Sequence, residues 1–206
     1  GGNVVKQGVL LAASNGDKRQ LYYRDTRTLN SIEFNKLLPN FVQINEPVVN
    51  NNVAFVPWLV GDEWKKIQKI KCKYMFGHFE LPNFYMNAMI TMPDHGGLKE
   101  EKFKHPELVF SGHFHARQAR GKIIYIGNAF PHNYSDAWDD ERCMMMLEWG
   151  DEPEFLSWPD QPTYRTLQLS TLLDNPEKCI QEKASARISL DINITYDEAN
   201  FLKELV

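Results

Sequence analysis

Cysteine is scarce and scattered in this sequence. Cys72, Cys143 and Cys179 lie far apart, with no C-x-x-C pair among them. An odd, widely spaced set argues against a disulfide scaffold and against a cysteine-based zinc site, and for reduced thiols in a cytosolic setting. Long apolar runs are missing too. No stretch approaches the roughly 20 residues that cross a bilayer, so no membrane partner is expected. Gly8–Ala13 is too short for a secretory leader and runs into Asp17, Lys18 and Arg19 instead of a cleavage site. Positive charge is not in excess. A formal net charge of −4 disfavours binding nucleic acid through bulk charge alone, although a metal centre can capture phosphate without a basic surface. There is no internal repeat and no low-complexity segment. What is present is a globular composition: 43% hydrophobic and 24% charged residues, with 12 Phe, 8 Tyr and 5 Trp to fill a core. A length of 206 residues amounts to one domain, or one and part of another.

Residues 1–20 read differently from the rest, as turn chemistry around Gly8–Ala13, either an edge strand or a non-native junction. A helix is expected from Thr28, stopped by Pro39. Asn51–Leu59 reads as a strand with Val53 and Phe55 on one side, ended by Pro57. Asp62–Ile70 reads as a short helix that buries Ile67 and Ile70 behind an Asp62 cap. Two further strands, Lys73–Phe76 and Glu107–Phe110, each run straight into a Gly-His. Beyond them Gly121–Gly127, Cys143–Trp149, Glu154–Trp158 and Tyr164–Leu169 read as short strands, with a hairpin turn at Gly150–Pro153. Leu169–Lys183 reads as a helix or linker broken near Pro176. Ala186–Thr195 alternates as a half-buried strand, and a helix follows from Tyr196.

The chemistry sits in the repeated strand-to-Gly-His step. The first is Tyr74-Met-Phe-Gly77-His78-Phe-Glu80-Leu81; the second is Leu108-Val-Phe-Ser-Gly112-His113-Phe-His115. Glycine before the histidine allows a sharp turn and a close approach to a ligand. The carboxyl ends of strands are where α/β sheets place their sites. In extended backbone, residues i and i+2 project the same way, so His113 and His115 are expected to face one pocket. Three imidazoles from two strand ends suit a borderline divalent cation such as Zn²⁺, Mn²⁺ or Fe²⁺. His95 and His105 lie in turn sequences and read as solvated; His132 lies in a polar loop after a strand, read as a surface loop with a place lining the site as the alternative. The five lysines in Lys65–Lys73 read as a solvated face, with DNA-backbone contact as the alternative. Asp136, Asp139, Asp140 and Glu141 form an acidic loop, at a hairpin edge or on a metal, and Met144–Met146 reads as core filler.

These residues resemble a known family. Gly77-His78, Ser111-Gly112-His113-Phe114-His115 and Tyr125-Ile-Gly127 look like the last motifs of the calcineurin-like metallophosphoesterases. Phe55-Val-Pro57-Trp58, Leu81-Pro-Asn-Phe-Tyr85 and Asp139-Asp-Glu-Arg142 are similar to one branch, the nuclease subunits of T4-like phage recombination endonucleases, relatives of the SbcD exonucleases. The similarity runs from about Leu21 onwards. It implies an α/β (α+β) fold: a β-sandwich flanked by helices, with the strands after Gly121 in the second sheet. It implies a division into an atypical segment 1–20, a partial phosphoesterase domain 21–170, and a linker with a truncated DNA-facing capping domain 171–206. It implies a metal-dependent phosphodiesterase, a DNA exonuclease or endonuclease subunit in recombination and repair. DNA and an SMC-like ATPase would be its partners, in the cytoplasm, of the host for a phage protein. Manganese would be the ion, with zinc or iron as alternatives. His78 and His113 would hold one metal and His115 the other.

The sequence also departs from the family. The opening series of D-x-H, then G-D, then G-N-H-D does not occur, the Gly-Asp pairs at Gly16, Gly61 and Gly150 having no D-x-H before them and no G-N-H-D after, and in the register before Leu21 stand Lys18, Arg19 and Gln20, two of them cations that cannot ligate a metal. No catalytic residue is therefore assigned. Three histidines alone can hold one ion with open positions, which leaves a single-metal hydrolase or a non-catalytic scaffold as alternatives. A sheet that lacks its family neighbours exposes an edge, from which a homo-oligomer is expected.

Overall fold

The computed structural model describes residues 42, 44, 46–59, 61–86, 90–179 and 182–205. The segment 1–20 and the helix expected from Thr28 lie outside them. The described residues fall into two compact units. The first holds those up to Phe84, Thr91–His113 and Ala119–Tyr125; the second holds Tyr85, Met86, Ile90, Phe114–Gln118 and those from Ile126 onwards.

The first unit is built on a mixed sheet. Its strands are β1 (Val48–Asn50), β2 (Val53–Phe55), β3 (Tyr74–Gly77), β4 (Leu108–Ser111), β5 (Gln118–Arg120) and β6 (Ile123–Tyr125), in the order β1-β2-β3-β4-β6-β5. β1 and β2 form a hairpin whose turn, Asn51-Asn52, has both residues at positive φ, +47° and +64°. That geometry matches strand twist, and asparagine tolerates it. The strand expected at Asn51 thus begins two residues later, and its buried side chains are Ala54 and Val56; Val53 and Phe55 are half-buried.

β2, β3, β4 and β6 run parallel. Inner strands of a parallel sheet are covered on both faces and read as continuous apolar runs. Ile123, Ile124 and Tyr125 are accordingly all buried. This corrects one expectation: Ile123–Tyr125 belongs to the first sheet, beside β4, because an unbroken apolar triplet suits an inner position. Phe55, Phe76 and Phe110 sit at matched register, and their rings stack at 5.8 and 5.0 Å. Between β2 and β3 a 3₁₀ helix, Gly61–Lys69, buries Ile67 and leaves Lys65, Lys66 and Lys69 exposed, the solvated face the lysine run suggested.

The second unit contains a hairpin of β7 (Cys143–Met146) and β8 (Glu154–Ser157), antiparallel, turning through Gly150 at φ +95°. Met144 is 51% exposed and pairs across with the exposed Leu156. The methionine run is therefore not core filler, since among the described residues no strand flanks this two-stranded ribbon to cover it. Then follow β9 (Thr163–Gln168), α1 (Leu169–Asp174), α2 (Pro176–Cys179), β10 (Ala184–Ser189) and α3 (Tyr196–Leu205). β10 pairs parallel with β9, as a helical crossover permits. Leu167, Leu169, Leu172 and Cys179 pack against Ala186, Ile188, Ile194 and Leu202. The strand expected over Ala186–Thr195 ends at Ser189, and Leu190 is 64% exposed. α3 opens with a capping box: Glu198 N–H donates to Thr195 Oγ1 at 3.3 Å, and Thr195 N–H donates to Glu198 Oε2 at 2.7 Å.

Met75 is fully buried and Met144 half in solvent. Met75→Ala should cost about 2–5 kcal/mol in urea unfolding, and Met144→Ala should stay within about 0.5 kcal/mol. Equal costs would refute the assigned sheet faces.

Candidate metal centre

Trp58, His78 and His113 each follow one of three adjacent parallel strands, β2, β3 and β4, at the carboxyl end. The His78 and His113 rings meet edge to face with centroids 5.3 Å apart. Trp58 lies against both, at 5.6 Å from His78 and 5.4 Å from His113. The two Gly-His steps thus bring their imidazoles together, as the shared sheet edge requires.

Each glycine has a steric reason. A Cβ at Gly77 would fall 2.3 Å from the Phe79 ring, and one at Gly112 would fall 2.8 Å from His78 Nδ1. His113 itself has φ +93°. That conformation is uncommon for a residue with a Cβ and stores local strain, a mark of functional positions. It also ends the extended backbone, so the alternation argument for His113 and His115 does not apply here.

The loop after β3 is tied to the neighbouring strands. Phe79 N–H donates to Ser111 Oγ at 2.9 Å, and Ser111 Oγ donates to Gly112 C=O at 2.8 Å. Leu81 N–H donates to Tyr125 Oη at 3.1 Å, and Tyr125 Oη donates to Phe79 C=O at 3.1 Å. Burial pushes the Tyr125 hydroxyl well above its ordinary value, so it stays a donor. Phe79 packs on Phe103 with centroids 5.1 Å apart, and Leu81 is fully buried. His78 and Glu80 are the half-buried residues interleaved with these anchors. Glu80 Oε1 lies 3.9 Å from His113 Nε2.

A cavity of about 440 Å³ opens beside the pair, lined by Trp58, Trp64, His78, Glu80, Asp94 and His95 among others. His95 is exposed, as the turn sequence suggested, yet it borders this cavity. His105 is exposed.

His115 belongs to the second unit. Its Nδ1 lies 3.0 Å from Asp136 Oδ1. Asp136, 3% exposed in its side chain, also accepts from His132 N–H at 2.9 Å and lies 3.4 Å from Arg142 Nη2. Arg142, 2% exposed, reaches Asp139 Oδ2 at 2.7 Å and donates to the His115 carbonyl. Asn128 N–H donates to the same carbonyl at 2.9 Å. Gly127, at φ +72°, is required here, because a Cβ would lie 2.8 Å from that oxygen. His132 is exposed and sets its ring 5.7 Å from His115.

The acidic loop is therefore an arginine-neutralised structure. Arg142 takes Asp136 and Asp139. Arg165 takes both oxygens of Asp140, at 2.9 and 2.8 Å. Sequence reasoning quoted Ser111, Tyr125, Trp58 and Arg142 within motifs without a role of their own, and did not pair Asp136 with His115. The signal for Asp136 and Arg142 was Arg142 directly after the acidic run.

Among the described residues no three His, Cys, Asp or Glu side chains are grouped to hold a metal ion. The His78–His113 pair nevertheless has the spacing of joint ligands. Two imidazoles sharing one ion at about 2.0–2.1 Å in a tetrahedral arrangement keep ring centroids roughly 5 Å apart. No protein-family model matches the chain, and no curated protein matches it.

Burial raises the Asp136 carboxyl, but the His132 N–H, the His115 ring and Arg142 outweigh it and hold the group below the usual carboxylate range. A depressed folded-state value gives stability that is present above the unfolded value of about 3.9 and lost as pH falls through the folded one. Asp136→Asn should lose about 1–3 kcal/mol at neutral pH, because the buried Arg142 keeps only Asp139 as a charge partner and the charge-assisted hydrogen bonds to the carboxylate are lost. It should also flatten the acid limb of melting temperature against pH. An unchanged acid limb would show that Asp136 is not held ionised.

Proposed function

We propose that this chain is part of a metal-dependent phosphodiesterase of the calcineurin-like class, in its DNA-nuclease branch. The observation that carries the reading is the His78–His113 pair, 5.3 Å between centroids at the ends of adjacent parallel strands. Two neutral imidazoles are donors suited to manganese, zinc or iron. By the motif resemblance alone, His115 would hold the other ion. When bound, the cation would supply Lewis-acid charge to a phosphoryl oxygen.

The chain's own residues have separate tasks. His78 and His113 give ring lone pairs. Trp58 shields one side of both rings from water, which strengthens electrostatic interactions at the pair. The cavity beside them offers Trp58 and Trp64 as faces on which a nucleobase can stack. Lys102 sits 5.7 Å from the Trp64 ring, near enough to attract a phosphate at that mouth. DNA as substrate and an SMC-like ATPase as partner rest on the motifs quoted above. Self-association would use β1, the end strand of its sheet among the described residues, where Val48 and Val49 are exposed.

The sequence holds no D-x-H and no G-N-H-D motif, so turnover by this chain alone should be weak. Loss of general-acid help by itself removes about 10²–10⁴-fold.

Titration calorimetry with Mn²⁺ and Zn²⁺ tests the reading. Uptake of at least one ion is expected, weakened tenfold or more by His78→Ala and by His113→Ala and unchanged by His105→Ala. In parallel, hydrolysis of bis-nitrophenyl phosphate should be slow and depend on His113. Metal uptake indifferent to both substitutions would sink the proposal.

A further inference from the structure

We infer that Asp136 is a positioning residue: it holds His115 with the ring proton on Nδ1 and so frees the Nε2 lone pair for a divalent cation. The use of that lone pair rests on the phosphodiesterase reading; the placement of the proton does not. An ionised carboxylate can only accept hydrogen bonds, so the nitrogen facing it must be the donor. Nδ1 is that nitrogen, 3.0 Å from Asp136 Oδ1.

The carboxylate cannot easily turn away. His132 N–H holds its second oxygen at 2.9 Å, and Arg142 lies 3.4 Å from the first. The His115 main chain is held as well, its carbonyl accepting from Asn128 N–H and from Arg142. Arg142 therefore grips both the backbone of His115 and the carboxylate that orients its ring. The His115 side chain remains 42% exposed, so the fixed ring is open to a ligand, while its partner Asp136 is 3% exposed. A histidine that ligates a metal through one nitrogen commonly gives its other N–H to such a carboxylate. A neutral imidazole in water favours the proton on Nε2, so the arrangement reverses the default.

The measurement is a long-range ¹H–¹⁵N spectrum of the metal-free, histidine-labelled chain at about pH 8, above the ordinary imidazole value. The His115 pattern should be that of the Nδ1–H form. Asp136→Ala should shift it toward Nε2–H and weaken Zn²⁺ binding by about 10–100-fold. A wild-type His115 in the Nε2–H form would overturn the inference, and that spectrum decides even if Asp136→Ala does not fold. An unchanged tautomer in a folded Asp136→Ala chain would overturn it too. A wild-type chain with the Nδ1–H form that takes up no zinc would count against the phosphodiesterase reading, not against the positioning.

Discussion

The candidate centre depends on how the two hydroxyls of Ser111 and Tyr125 hold the chain after β3. Both come from neighbouring parallel strands, and together they satisfy the Phe79 and Leu81 N–H groups and the Phe79 carbonyl. These backbone groups are buried and would otherwise cost about 1–3 kcal/mol each. Their pairing fixes the loop and brings the His78 ring to His113. Gly77 and Gly112 then follow as necessities, since a methyl group at either position would strike the Phe79 ring or the His78 ring.

Much of this was legible in the sequence where a pattern has one physical meaning. Strand followed by Gly-His, twice, gave both the strands and the convergence of His78 and His113. The break at Pro176 and the hairpin turn at Gly150 were equally plain. The misreadings share a cause: a run's pattern does not say what will cover it. Ile123–Tyr125 is apolar throughout and lies inside a parallel sheet. Met144–Met146 is apolar throughout and lies in a two-stranded ribbon, half in solvent. The Asn51-Asn52 turn was missed because its asparagines lie inside an otherwise strand-like run.

The least legible part was the partner choice of charged groups. Nothing in the order of Asp136, Asp139, Asp140 and Arg142 says which carboxylate meets which cation. The fold decides that by burying Arg142 between two aspartates and giving the acidic end of the third to Arg165. It leaves Asp136 as the acceptor for His115, and so turns an acidic surface run into a device that orients one imidazole. The two histidines at the strand ends and the histidine held by a carboxylate are separate solutions to one problem, that of keeping a flexible ring in one orientation.

The central claim is that His78 and His113 are joint ligands. Anomalous diffraction at the zinc edge from a crystal of this chain soaked in Zn²⁺ tests it most directly. A peak within about 2.0–2.1 Å of a ring nitrogen of each histidine is the expected result. Zinc found only at His95 or His105, with none between the paired rings, would contradict the account.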